Sequence, residues 1–228
     1  GVGSMLTCGY DEESNRRVIE LKGRVKGLPI ALGLHPWYAD QCLDSVLSLI
    51  ERHNPEAIGE VGLDFWGDTP IQPIDRQMMV LDAQLALACR LNKAVTLHSR
   101  KAIAPLLQVL RAHSGIRGAL HAYSGSWEQL REFLNIGMYL GIGGAVTRDK
   151  AARVRKCAKE TPLSQIVIET DSPAIGMDIV EPPNVRPKHV KRVAEALAEL
   201  RGISVEEVSE RTDENARRLF GLSTTKLD

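Results

Sequence analysis

The chain has 228 residues, of which 43% are hydrophobic and 25% charged, as expected of a globular protein with one large domain or two small ones. Its formal net charge is zero, so the basic excess of a dedicated duplex-binding protein is missing. Any phosphate-bearing partner must be held by a local patch or by metal charge. No apolar run reaches the roughly 18 residues that span a membrane, and no signal peptide is visible, so we expect a cytoplasmic protein.

The predicted elements alternate along the chain between strand and helix. Amphipathic helices are predicted over Ser45–His53 and Asp75–Leu91, and capping boxes at Ser126–Gln129 and Ser204–Glu207 open two more. The alternation indicates α/β architecture with right-handed βαβ units in one domain, residues 1–221, followed by a tail, residues 222–228. Seven short aliphatic runs are predicted as buried parallel strands: Ser4–Cys8, Pro29–Leu34, Ala57–Val61, Ala94–His98, Gly118–His121, Met138–Gly141 and Gln165–Glu169.

The number of strands bears on the type of sheet. A (β/α)8 barrel needs eight strands and typically about 250 residues. An open doubly wound sheet is the alternative, but its functional groups cluster at one switch point, whereas here they follow at least four strands. We therefore expect a TIM-like (β/α)8 barrel whose first strand and helix are missing from the sequence as given.

Histidines and acids stand at the carboxyl ends of four predicted strands: Glu60, His98, His121 and Asp171. In an α/β barrel these ends open onto one mouth, where catalytic groups gather. Neutral imidazoles and carboxylates suit zinc, manganese and, with more oxygen ligands, magnesium. Taken singly, each residue could equally be a core histidine, a rim ion pair or a turn cap. Their joint occurrence favours a divalent metal site.

Further candidates surround these four residues. Glycines near Glu60 let the backbone approach closely, and a carboxylate held there can bridge two metal ions. Asp171 can bind metal and accept a proton from water, and Arg100 can hold phosphate oxygens with its planar fork. Asp64 has weaker support, because it can simply cap a turn. His35 also stands where a strand meets a loop. The other three histidines are predicted to lie in end turns of helices without a role at the site: His53, His113 and His189.

Two common catalytic motifs are absent from the sequence. The run Gly141–Val146 fails G-x-G-x-x-G at its last position, and no P-loop lysine and hydroxyl follow it. It is interpreted as a flexible βα loop that lines the barrel mouth. No G-x-S-x-G nucleophile elbow occurs. The four cysteines are scattered without a C-x-x-C pair, which indicates reduced, partly buried thiols: Cys8, Cys42, Cys89 and Cys157.

Five motifs in order along the chain resemble the TatD family of metal-dependent hydrolases, in particular its YjjV-like subgroup. The similarity covers essentially the whole chain, down to Asn215–Phe220. The motifs are Gly33–Pro36 (GLHP), Gly59–Asp64 (GEVGLD), Leu97–Arg100 (LHSR), His121–Gly125 (HAYSG) and Glu169–Pro173 (ETDSP).

This resemblance implies a TIM-like barrel of the amidohydrolase type, a centre with one or two divalent ions (Mg²⁺, Mn²⁺ or Zn²⁺), and often deoxyribonuclease activity. It implies that Glu60 is the bridging carboxylate and that His98 and His121 are ligands of the second metal. It assigns Asp171 to the first metal and to the nucleophilic water, so that Asp171 and Glu60 are the candidate catalytic residues. Substrate-lining positions are expected at His35, Asp64, Arg100, Tyr123 and Asn184.

One family feature is missing. Family members begin with a strand carrying Asp-x-His-x-His, whose histidines bind the first metal, and no H-x-H occurs in this sequence. Either the sequence lacks that strand or the protein has lost the first metal site. We favour the former, because removing a barrel strand exposes two strand edges.

Three functions follow as expectations. The leading one is a deoxyribonuclease that cleaves phosphodiester bonds by metal-activated water, acting as a monomer on short or single-stranded DNA, away from membranes. The second is a metal-dependent hydrolase of a carboxyl ester or amide-type bond, such as a lactone or aminoacyl-tRNA, because barrels host many chemistries. The third is a metal-deficient, non-catalytic homologue.

Overall fold

The structure, a computed structural model, describes residues 2–222, and its internal contacts divide the chain into two compact units. Of the described residues, the first unit holds 3–118 with 219–222, and the second holds 119–218 with Val2. A single domain over residues 1–221 remains a prediction. Of the predicted tail, residues 223–228 lie outside the described residues.

The first unit is a four-stranded parallel sheet with its helices. Strands β1 (Thr7–Cys8), β2 (Ile30–Leu32), β3 (Ala57–Asp64) and β4 (Ala94–Arg100) pair in chain order. Four α-helices follow these strands in turn: α1 (Glu12–Arg24), α2 (Leu43–His53), α3 (Ile74–Leu91) and α4 (Ile103–Ala112). A short 3-10 helix, Pro36–Tyr38, follows β2.

The second unit repeats the same alternation. Strands β5 (Gly118–Leu120), β6 (Tyr139–Ile142) and β7 (Ile166–Ile168) are parallel and in chain order. The α-helices are α5 (Trp127–Asn135), α6 (Ala152–Glu160), α7 (Val190–Arg201) and α8 (Val205–Phe220), and 3-10 turns occupy Gly144–Thr147, Leu163–Gln165 and Pro187–His189. Within residues 2–222, no helix combines the length and apolar character that a membrane span requires.

All seven predicted strands are present, with shifted ends. β1 begins only at Thr7, whereas β3 and β4 continue beyond their predicted ends to Asp64 and Arg100. The extension matters for function, because Asp64 and Arg100 are cross-strand partners in the last step of this ladder. The helix starts at both predicted capping boxes are confirmed: Ser126 exchanges hydrogen bonds with Gln129, and the Ser204 hydroxyl accepts the Glu207 N–H. All four cysteines are free. Cys157 is buried and Cys8 half-buried, as predicted, whereas Cys42 and Cys89 are exposed.

Buried side-chain amides hold the segments that carry candidate site residues. Gln84 is fully buried on α3, and its side chain accepts the Leu34 N–H at 2.7 Å and donates to the Leu34 carbonyl at 3.1 Å. Asn15 pairs with Gly33 in the same two-way manner, and Gln77 with Asp64. Each amide replaces the partner strand that a buried backbone segment would otherwise need.

Replacing Gln84 with Met should lower the free energy of unfolding, because the Leu34 N–H and carbonyl would both stay buried without a partner. Each orphaned group costs about 1–3 kcal/mol. Chemical denaturation should measure this decrease, while Gln108→Met on the exposed face of α4 should stay within about 0.5 kcal/mol. Equal stability of the two variants would show that water or a shifted backbone satisfies Leu34.

Candidate metal centre

Glu60 lies in an irregular stretch of β3. The register of the β3–β4 pairing shifts between Ile58 and Val61. Gly59 and Glu60 therefore stand together opposite Thr96, which is the geometry of a β-bulge. The Glu60 N–H donates to the carbonyl of Gly9 at 2.9 Å instead of joining the β4 ladder. The bulge turns the Glu60 side chain to a direction that a regular strand would not allow.

The glycines of this motif are required by close strand packing, in line with the close backbone approach expected from the sequence. A Cβ at Gly59 would lie 1.9 Å from Thr96 Oγ1, and a Cβ at Gly62 would lie 2.0 Å from the carbonyl oxygen of His98. Any side chain at either position would push β3 away from β4. That displacement would separate Glu60 from His98.

His98 is held between two carboxylates. Its Nδ1 lies 3.1 Å from Glu60 Oε1 and its Nε2 lies 3.0 Å from Asp64 Oδ2. Burial by itself lowers the pKa of His98, but the hydrogen bonds and negative charges of Asp64 and Glu60 outweigh it and raise the pKa above its ordinary value. Without a metal ion, the ring is therefore stabilised as a cation.

Asp64 lies behind His98 and is only 4% exposed. Its Oδ2 accepts the indole N–H of Trp37 at 2.8 Å, and its Oδ1 accepts the backbone N–H of Trp66 at 3.0 Å. Burial raises the pKa of Asp64, yet the hydrogen bonds from His98, Trp37 and Trp66 prevail and bring it down to about 2. Asp64 is therefore an anion that orients the His98 ring. Its substrate-lining role, which the family resemblance implied, stays a prediction.

His35 also joins this cluster, although the family resemblance placed it among the substrate-lining residues. Its Nε2 lies 3.6 Å from Glu60 Oε1, while its Nδ1 accepts the backbone N–H of Trp37 at 3.2 Å. The accepted N–H places the proton of a neutral His35 on Nε2. In that form the Nε2–H of His35 faces Glu60 and helps to hold this carboxylate when no ion is bound.

The residues of the first unit fit a divalent metal ion. One candidate ligand atom from each of His35, Glu60 and His98 lies within 4.8 Å of the others. A metal-binding histidine commonly donates its second N–H to a carboxylate, which fixes the ring and its tautomer. Asp64 meets this requirement at Nε2 of His98, so Nδ1 faces Glu60 and is available for an ion. Imidazole and carboxylate donors suit zinc and manganese.

A second histidine–carboxylate cluster lies in the second unit. His121 Nδ1 lies 3.0 Å from Glu169 Oε1, and its Nε2 lies 3.6 Å from Asp171 Oδ2. Glu169 also accepts the backbone N–H of Ala122 at 2.7 Å. As at His98, each ring nitrogen faces a carboxylate, but here both carboxylates are half-buried, Glu169 at 22% and Asp171 at 31% side-chain exposure. That His121 shares an ion with Glu60 remains a prediction.

Glu169 was not among the predicted site residues. Space for it is made by two glycines: a Cβ at Gly141 would lie 2.8 Å from Glu169 Oε2, and one at Gly143 would lie 3.4 Å from Glu169 Oε1. The glycine run interpreted as a flexible loop therefore begins within β6 and forms the wall of the His121 cluster. The available signal was spacing, because residues two apart on an extended chain share a side, as Glu169 and Asp171 do.

Three predicted substrate-lining residues take different positions. Tyr123 is 5% exposed, donates its hydroxyl to the Ser126 carbonyl at 3.0 Å and packs edge-on against Phe133. Tyr123 therefore packs in the core of the second unit, where burial raises its pKa, and its predicted substrate contact stays a prediction. Asn184 lies in an exposed turn, and its predicted role stays untested. Arg100 is exposed and lies over the Trp66 ring.

Comparisons with known proteins agree with a metal-binding role for the site. The family profile described as TatD related DNase matches residues 1–221. The metal-dependent hydrolase YjjV of Escherichia coli K12 is 34% identical, over 97% of this chain and 88% of its own. Human deoxyribonuclease TATDN3 is 36% identical, over 90% of this chain and 78% of its own.

Solved structures agree on the fold. The crystal structure of Escherichia coli YjjV superposes with a TM-score of 0.90 at 32% identity, covering 98% of this chain and 88% of that one. An amidohydrolase from Saccharomyces cerevisiae, at 16% identity, reaches a TM-score of 0.78 over 94% of this chain and 87% of its own. The expected α/β fold class is confirmed: each unit alternates parallel strands with helices, and the fold matches that of a TatD homologue. The chain belongs to the TatD family of metal-dependent hydrolases.

Proposed function

We propose that this protein is a deoxyribonuclease that hydrolyses phosphodiester bonds with the help of one or two divalent metal ions, Mg²⁺, Mn²⁺ or Zn²⁺. The observation that carries the proposal is the arrangement around His98. The buried carboxylate of Asp64 orients the His98 ring so that its other nitrogen faces the less buried carboxylate of Glu60. The deoxyribonuclease name of a relative at 36% identity supports the choice of substrate.

Each cluster has a distinct role in this proposal. Glu60 and His98 hold an ion, and Asp64 keeps the His98 ring in place through Nε2. His121 is a further ligand whose orientation depends on Glu169. Asp171, the more open acid beside His121, accepts a proton from the attacking water. A bound divalent ion supplies neutralisation of the charge that develops on the phosphoryl oxygens.

The charge balance of the chain favours a small substrate. With 29 basic and 29 acidic residues, the protein has no overall attraction for duplex DNA. Short or single-stranded DNA, held by a few local contacts beside the metal centre, suits this balance. Binding should be weak and non-processive.

The test uses purified protein stripped with EDTA and then supplied with Mg²⁺, Mn²⁺ or Zn²⁺. We expect cleavage of an end-labelled single-stranded oligonucleotide only with metal, and loss of both cleavage and bound metal in His98→Asn. The matched control is His113→Asn, because His113 also faces a carboxylate, Asp82 at 2.9 Å, but on the outer surface. Hydrolysis of a carboxyl ester or lactone without any phosphodiester cleavage would instead favour the second expected function.

Metal affinity should weaken as the pH falls, and the decline should begin above pH 6.5. The pKa of His98 is raised by Asp64 and Glu60, with His35 also facing Glu60, so the imidazolium persists to a higher pH than an ordinary histidine. An ion must displace this proton, and proton competition therefore starts above the usual histidine range. Titrating Mn²⁺ binding between pH 5 and 9 measures the effect. An affinity that is constant across that range would remove His98 from the ligand set.

A further inference from the structure

An exposed aromatic surface adjoins the first cluster. Trp66 is 50% exposed and Trp37 is 39% exposed, although indole rings are normally covered in a folded protein. Both are fixed by Asp64, which accepts the Trp37 indole N–H on one oxygen and the Trp66 backbone N–H on the other. The same carboxylate holds His98. Asp64 therefore holds the Trp37 ring and the backbone at Trp66 beside the candidate metal centre.

Two cations accompany Trp66. The guanidinium carbon of Arg100 lies 3.9 Å from the centre of the indole ring, and Lys101 Nζ lies 5.5 Å from it. Neither cation has a carboxylate partner within the described part of the chain, residues 2–222. Arg100 and Lys101 thus leave their positive charge available to a ligand.

A cationic pair on an exposed indole matches one ligand chemistry. A ligand that fits must offer a flat π-face for the ring and an anion for the cations. Bases of single-stranded nucleic acid stack on aromatic rings and on guanidinium planes, and their phosphates meet lysine and arginine. In a duplex the base faces are already stacked on each other and cannot reach the indole.

We propose that Trp66, with Arg100 and Lys101, forms a stacking platform that binds an unpaired base and its neighbouring phosphate in single-stranded nucleic acid. This inference rests on the proposed function for its biological use, because the platform would hold the strand beside Glu60 and His98. The interaction is independent of base identity, since every base presents a π-face. It selects the single-stranded state rather than a sequence.

The experiment measures binding without hydrolysis, by fluorescence anisotropy in EDTA. The probe is a labelled oligothymidylate of about twelve nucleotides, within the usual range for such sites. A second probe is an abasic phosphodiester oligomer of the same length. Trp66→Leu should weaken oligothymidylate binding about tenfold, as expected when one base no longer stacks, and leave binding of the abasic oligomer unchanged. Trp66→Phe, which keeps an aromatic ring, should stay within about twofold of wild type.

Two controls complete the design. Met79→Ala removes an exposed apolar side chain of the same unit, and should bind both probes like wild type. Gln substitution of Arg100 and Lys101 should reduce the slope of log affinity against log salt by about 0.7 for each phosphate that the protein no longer neutralises. An equal weakening with both probes in Trp66→Leu, or unchanged binding of oligothymidylate, would overturn the platform.

Two results distinguish a failure of the stacking platform from a failure of the proposed nuclease function. Trp66-dependent binding by a protein that hydrolyses no phosphodiester would support the platform and contradict the proposed nuclease. Hydrolysis of bis(p-nitrophenyl) phosphate, a small substrate without bases, together with single-strand binding that ignores Trp66, would support the nuclease and overturn the platform.

Discussion

Glu60→Gln should lower kcat/KM on an oligonucleotide by several orders of magnitude, whereas Arg100→Ala should lower it about ten- to a hundredfold. Gln keeps the size of the side chain and can still accept a hydrogen bond from His98, whose Nδ1 lies 3.1 Å away. It removes the negative charge that an ion needs, so the centre loses its metal. Arg100 makes at most a charge-assisted hydrogen bond to phosphate, worth about 1.5–3 kcal/mol.

Steady-state kinetics with saturating Mn²⁺, together with metal analysis of the purified variants, tests this difference. The circular dichroism spectrum and unfolding midpoint of Glu60→Gln should resemble those of the wild type. If the two variants have similar kinetics and both retain metal, Glu60 does not have the role proposed here.

Asp171→Asn should reduce kcat about a hundredfold to ten-thousandfold, the range that general acid–base groups contribute. The side chain of Asp171 is 31% exposed, which leaves it open to water and substrate, and its Oδ2 lies 3.6 Å from His121 Nε2. Asn is isosteric but cannot take up a proton. The decrease should appear in kcat with metal content retained, because His121 and its partner Glu169 are unchanged.

Glu169→Gln is the matched comparison for this variant. Glu169 lies 3.0 Å from His121 Nδ1 and acts through it, so its replacement should cost about 10- to 100-fold, the usual effect of a group that orients a ligand. Its effect should fall mainly on metal affinity. A Glu169→Gln enzyme as impaired in kcat as Asp171→Asn, with metal bound, would assign the proton acceptor to Glu169.

Several site assignments illustrate where local patterns are informative. Glu60 was identified from sequence as an acid flanked by glycines, although it lies within β3 rather than at the predicted strand end. The helix starts at Ser126 and Ser204 were predicted because a capping box involves only four consecutive residues.

Other features depended on which distant segments meet. The interpretation of Asp64 as a turn cap is confirmed, since its Oδ1 accepts the Trp66 N–H, but nothing near it in sequence reveals that His98 and Trp37 also meet its carboxylate. Tyr123 was expected to face substrate, but its ring packs against Phe133 within the second unit. The unusual exposure of Trp66 also has no sequence signal, since an indole on a loop is equally consistent with burial.

By itself, the sequence determined the seven strands, the helices α2, α3, α5 and α8, and the presence of histidines and acids in or just after four of the strands. These follow from hydrophobic periodicity and capping, which act over a few neighbouring residues. Only the tertiary structure decided the roles of Asp64 and Glu169, because the orientation of His98 and His121 comes from carboxylates that approach them across the fold. The bulge at Glu60 was also decided by the tertiary structure. It depends on Gly59 and Gly62, which let β3 pack closely against β4, a strand that lies far from them along the chain.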